Sequence, residues 1–153
     1  RIVKWPGVTQ PNSICEEYII IEDIFPTFLE MADVKNYDQI GGTIDGISFV
    51  PLLKQNREYP KDRPLFWHFP HNYDVEPYSA MRKGNWKLIY FHTDNHFELY
   101  NLKDDIGETS NLIENHRDIA KSLANELHLF LIETNADMPI VRDTSKPVPL
   151  PQL

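Results

Sequence analysis

The chain has 153 residues, a formal net charge of −8, and 41% hydrophobic and 12% aromatic residues. That composition predicts a packed interior. The acidic balance, with no basic run longer than Arg82-Lys83, excludes recognition of a nucleic-acid backbone. The single cysteine, Cys15, excludes an internal disulfide, and no apolar run approaches the ~20 residues needed to span a bilayer.

Residues Arg1 to Trp5 read as a short strand stopped by the turn pair Pro6-Gly7. An opening without Met, inside a predicted strand, is the expected mark of a piece of a longer chain. Any targeting signal would then lie elsewhere. Ile20, Ile24, Phe28 and Met31 fall at helical spacing, and Pro26 places the helix start near Asp23 rather than further upstream. The polar stretch from Val34 to Gly46 predicts a loop, and Ile47 to Leu53 an apolar connection. Leu65 to Phe69 is a compact aromatic strand closed by Pro70.

From Ser79 the texture changes. Ser79 to Arg82, Trp86 to His92 and Phe97 to Asn101 predict three strands. Lys83-Gly84-Asn85 and Thr93-Asp94-Asn95 supply the turns of an antiparallel meander. Asn111 to Leu131 predicts an amphipathic helix on the stripe Ile119, Leu123, Leu127, Phe130 and Leu131. The Pro-rich tail from Pro139 to Leu153 is expected to run extended over a surface. The fold class is therefore α+β: the last elements of an α/β domain (1–70), then a small antiparallel sheet of three to four strands packed on a C-terminal helix (71–138), then the tail (139–153).

Several stretches carry a resemblance. They are Trp5-Pro6-Gly7, Asp23-x-x-Pro26-Thr27, Asp45-Gly46-x-Ser48-x-x-Pro51-Leu52-Leu53 and Arg63-Pro64-Leu65-Phe66-Trp67-His68. Ala80 to Ile89, and Glu98-Leu99-Tyr100-Asn101-Leu102 with Glu108 and Asn111-Leu112, complete the series. In this order, over residues 1 to about 131, the chain resembles the C-terminal third of arylsulfatase-type enzymes of the alkaline-phosphatase superfamily. Ile106 departs from that pattern, where the family often has Pro before Gly and Glu.

The resemblance implies a parent sulfuric ester hydrolase acting on sulfate esters, with sulfated carbohydrates the expected class. It also implies a formylglycine made within Cys/Ser-x-Pro/Ala-x-Arg, a calcium ion held by Asp and Asn groups, and export to the periplasm or exterior. This chain is expected to hold neither cofactor. Cys15 is followed by Glu16-Glu17-Tyr18-Ile19, outside the modification motif, and Asp104-Asp105 reads as a solvated turn. No catalytic residue and no metal ligand is assigned, and the chain alone is expected to be inactive. The missing N-terminal catalytic domain is its expected partner. A phosphonate or phosphate-ester hydrolase of the same superfamily, and a non-catalytic carbohydrate-binding module, are the alternatives.

The candidate substrate-binding residues are His68, His71, Asn72 and Arg82, with Tyr73 and Lys83 beside them. His68 and His71 flank Pro70 at a strand end, where sites are built. The resemblance places this segment near the pocket mouth. An imidazole can donate to a sulfate oxygen or a sugar hydroxyl. A zinc site from His68-x-x-His71 and His92-x-x-x-His96 is a weaker reading, because structural zinc sites usually include Cys. Trp67, Trp86, Tyr90, Phe91 and Phe97 are expected in a core rather than on a sugar-stacking platform, one sheet face under the helix and the other under the parent domain. Without that domain, an exposed apolar patch would favour self-association.

Overall fold

The computed structural model describes residues 2–36, 39, 42–55, 59–60 and 62–153. The chain forms two compact units, Arg1–Lys61 and Asp62–Leu153. The division falls before Pro70, because the aromatic strand ahead of that proline pairs into the sheet that follows it.

In the first unit, a 3-10 turn at Ile21–Asp23 leads into helix α1, Ile24–Met31. Asp23 is fully buried. Its two carboxylate oxygens accept from the backbone N–H of Ile20 (2.9 Å) and of Ile47 (3.0 Å). One turn on, the buried Thr27 hydroxyl donates to the Asp23 carbonyl at 2.6 Å and accepts from Phe49 N–H at 2.9 Å. The Asp-x-x-x-Thr spacing thus puts two side chains on one helix face, and both hold the segment 47–49. That segment feeds the short helix α2, Val50–Leu53, with Pro51 in its first turn. The expected strand at the start of the chain is not formed by residues 2–5. A strand needs a ladder partner, and none of the described residues pairs with it. Trp5 instead opens a turn whose carbonyl accepts from Val8 and Thr9 N–H, both at 3.0 Å.

The second unit is a four-stranded antiparallel sheet in the order β1 (Leu65–Phe69), β2 (Tyr78–Lys83), β3 (Trp86–Phe91) and β4 (Phe97–Asn101), with helix α3, Arg117–Glu133. Period-2 alternation divides the side chains between two faces. The register places Phe66, His68, Ser79, Met81, Leu88, Tyr90 and Leu99 on one face. Ala120, Leu123, Ala124, Leu127 and Leu131 of α3 bury against it, and Phe66 stacks on Phe130 at 3.9 Å. The opposite face carries Trp67, Tyr78, Ala80, Ile89, Phe91 and Tyr100 as a second apolar cluster.

Helix α3 starts at Arg117, later than the expected Asn111. Asn111 Oδ1 accepts from Leu99 N–H and Ile113 N–H, both at 3.0 Å, and Leu112 N–H donates to the Leu99 carbonyl. These bonds tie the segment to β4 and compete with a helical turn. Asp105 accepts from the amides of Thr109 and Ser110, which holds its carboxyl below the usual carboxylate range.

The Pro-rich tail packs back onto this unit. Strands β5 (Ile140–Val141) and β6 (Lys146–Pro147) pair as a small hairpin. Val148 and Pro151 beyond it are buried, and Leu150 packs on the helix-side core. Backbone carbonyls of the tail accept from Tyr90 Oη at Pro149 (2.8 Å) and from His128 Nδ1 at Pro151 (3.0 Å). Burial pushes the Tyr90 hydroxyl up to about 12. No helix among the described residues is long and apolar enough to cross a membrane.

Candidate functional site

The loop between β1 and β2 carries the sequence-predicted residues. It runs from Pro70 through His71, Asn72, Tyr73, Asp74, Val75 and Glu76 to Pro77. A proline at each end restricts the backbone where the loop leaves the sheet. His71, Asn72 and Tyr73 are all exposed. The His71 ring stands edge-on to Phe69 at 6.0 Å and to Tyr73 at 6.3 Å, so aromatic packing orients a ring that stays open to solvent. Asn72 offers a donor and an acceptor side by side.

His68 stands differently. Its Nδ1 lies 2.8 Å from Ser79 Oγ and its Nε2 3.0 Å from the Asp137 carbonyl oxygen, so both ring nitrogens are engaged. Arg82 lies on the opposite face of β2 from Ser79 and near the other end of the strand, opposite Leu65. Its Nε donates to the Gly84 carbonyl at 3.1 Å. His71 and Asn72 are therefore neighbours on the exposed loop, His68 lies within the end of β1 with both nitrogens engaged, and Arg82 lies apart on the other face. Lys83 pairs with Glu126 of α3 at 2.9 Å.

The zinc reading is not met. His68 and His92 share a hydroxyl partner, His71 leans on Phe69 and Tyr73, and His96 stacks on Phe91 at 4.4 Å while bonding to Asp94 at 2.5 Å. The hydrogen bond from His96 holds the Asp94 carboxyl below its ordinary range. Among the described residues, the one group that could hold a metal is Glu76, Asp94 and His96, all exposed.

His92 belongs beside this site, although its sequence position did not point there. It is 3% exposed. Its Nε2 lies 2.9 Å from Ser79 Oγ, and its Nδ1 is buried without a partner. Burial, then the neighbouring charge of His68, pushes its pKa down to about 4, so the ring is neutral at pH 7. The signal for it was present: Leu88, Tyr90 and His92 alternate onto one face, and the first two are apolar core residues.

This architecture and its sequence belong to one family. Residues 1–136 match the family model of the N-sulphoglucosamine sulphohydrolase C-terminal domain, and the chain belongs to that family. A sulfatase of Formosa agariphila is 34% identical over 99% of this chain and 30% of its own length. An N-acetylglucosamine-6-O-sulfatase of Bacteroides thetaiotaomicron is 27% identical over 72% of this chain and 20% of its own length. The chain thus spans less than a third of these curated relatives. Among solved structures, a 2-O GAG sulfatase superposes with a TM-score of 0.62 at 22% identity, over 75% of this chain and 25% of that one. A structure in complex with its substrate D-glucosamine-2-N,6-O-disulfate superposes with a TM-score of 0.56 at 25% identity, over 76% of this chain and 24% of that one.

The described residues do not fit the two groups the family implies. Calcium takes six to eight oxygen ligands, roughly, whereas the Glu76, Asp94 and His96 group is open to solvent and includes an imidazole. Cys15 is exposed and its neighbours are not those of the formylglycine motif. The chemistry of either group is accordingly not assigned to residues of this chain.

Proposed function

We propose that this chain is the C-terminal portion of a hydrolase that cleaves sulfate esters of carbohydrates, and that it serves by binding substrate. The observation that carries this reading is the family match over residues 1–136, together with relatives named for sulfated sugars. The nucleophile and the metal site would reside in an N-terminal catalytic domain of the same polypeptide, with calcium and formylglycine held there. This chain alone would turn over no sulfate ester.

Within the chain, the loop 70–77 is the part suited to a sulfated sugar. His71 and Asn72 are exposed donors on a loop stiffened by Pro70 and Pro77. A sulfate or a sugar hydroxyl demands donors in fixed directions, and the aromatic contacts of His71 supply that direction. His68, with both nitrogens committed, acts from behind by holding the strand end.

The test is a titration of the uniformly 15N-labelled chain with N,6-O-disulfated glucosamine, with 4-nitrophenyl sulfate turnover measured alongside. The reading expects chemical-shift changes centred on the amides of His71 and Asn72, and no turnover. Turnover by the chain alone, or shift changes centred outside the loop, would overturn it.

A further inference from the structure

His92 touches both ends of the loop 70–77. Its backbone N–H donates to the Pro77 carbonyl at 2.9 Å, where the loop rejoins β2. Its ring reaches the other end through Ser79: Nε2 to Ser79 Oγ is 2.9 Å, and Ser79 Oγ to His68 Nδ1 is 2.8 Å. His68 is the penultimate residue of β1, next to the Phe69-Pro70 step that starts the loop.

The proton positions along this chain follow from its far end. A carbonyl oxygen only accepts, so His68 Nε2 must carry the proton that it donates to Asp137. The near end agrees with this: a buried N–H without a partner is costlier than a bare lone pair, so neutral His92 keeps its hydrogen on Nε2, and the Ser79 hydroxyl that accepts it donates to His68 Nδ1. Ser79 has one proton, so toward His92 it accepts, and His92 Nε2 carries the hydrogen. Nδ1 of His92 is left as a lone pair, and that is the atom buried without a partner. Each hydrogen bond fixes the next, from His92 through Ser79 and His68 to the Asp137 carbonyl.

We propose that His92 is a positioning residue that clamps both ends of the loop 70–77, its Nε2–H acting through Ser79 and His68 and its amide acting on Pro77. The proposal rests on the reading that this loop meets the substrate, since that gives the clamp its purpose. The buried, neutral ring suits such a role, because it donates one directed hydrogen bond and does not change charge near neutral pH. A merely space-filling residue would need neither the Ser79 bond nor a particular tautomer.

The test uses the full 153-residue chain without any sugar. Long-range 15N–1H correlation spectra at pH 7 report the tautomers of His68 and His92, relaxation reports the order of residues 71–76, and exchange reports the His92 amide. The proposal expects both rings in the Nε2–H form. It expects His92→Leu to speed exchange of the residue-92 amide by a factor of about 5, the loss of one hydrogen bond, and to lower the loop's order parameters. His92→Gln, which keeps a donor at similar reach, should restore both. Ser79→Ala removes only a hydroxyl, should loosen the loop likewise, and carries the test if His92→Leu does not fold. An Nδ1–H tautomer at His92, or loop order unchanged in Ser79→Ala, would overturn the clamp. A flat sugar titration of the wild-type chain would overturn only the substrate reading, because tautomer and order are measured without sugar.

Discussion

The imidazoles of His68 and His92 stand 5.7 Å apart, tilted by 48°, with the Ser79 hydroxyl bonded to both. The pair joins the helix-side face of the sheet to the Asp137 carbonyl just past α3. It therefore links the sheet, the loop and the segment after α3 through one line of polar atoms. Its Ser79–His92 bond is buried, and a buried polar pair is costly when either member is lost.

His92 makes stability depend on pH in a stated direction. Its folded pKa is pushed down to about 4, below the ordinary value of 6.5. The unfolded chain therefore binds the proton more readily, and stability falls as pH drops. The contribution is fully present above about 6.5 and is lost progressively toward about 4, where the loss levels off at roughly 3 kcal/mol. Urea unfolding of the wild type and of His92→Gln at pH 7 and at pH 4.5 checks this. The difference between the two should shrink or reverse at the lower pH, and parallel pH dependence in both would contradict it.

Gly46 is held by space rather than by an unusual backbone angle. A Cβ on it would lie 2.1 Å from the Glu22 carbonyl oxygen. Gly46→Ala should separate the segment 47–49 from α1, losing the bonds of Ile47 to Asp23 and Phe49 to Thr27. We expect a destabilisation of the first unit by about 1–3 kcal/mol, read as faster amide exchange at Ile47 and Phe49. Unchanged exchange at both would contradict the packing described.

The tail beyond the family match is part of the second unit's core. Val148 and Pro151 are buried, and the Pro149 carbonyl accepts from the Tyr90 hydroxyl. Truncation after Met138 should cost about 3 kcal/mol or more, the loss of two to three buried apolar side chains. Thermal unfolding should show a clear fall in Tm for the truncated chain. An unaltered Tm would mean that the tail only lies on the surface.

Much of this was legible because local chemistry and tertiary packing agree. The β2–β3 and β3–β4 strands follow from period-2 apolar residues between Gly84 and Asn95 turns, both of which adopt positive φ. The α1 start at Ile24 follows from Pro26. The residues that misled are those whose partners are distant in sequence. Asn111 looks like helix until Leu99 is known to be its partner, and Arg1–Trp5 looks like a strand although no described strand lies beside it. Arg82 and His68 looked like one site, but register puts them on opposite faces, and a one-residue parity is invisible without the pairing. The sequence offers His92 only as a zinc ligand, because its partner Ser79 lies thirteen residues earlier.

The central claim is that the loop 70–77 recognises the sulfated sugar in an assembled enzyme. The most direct measurement places the whole chain, residues 1–153, in the Formosa agariphila sulfatase in exchange for the matching segment, and follows steady-state kinetics of His71→Ala and Asn72→Ala in that chimera. Each substitution removes one polar contact, so KM for a sulfated glucosamine should rise about five- to twentyfold, while turnover of 4-nitrophenyl sulfate stays near that of the unsubstituted chimera. Equal loss on both substrates, or no change in either, would contradict the claim.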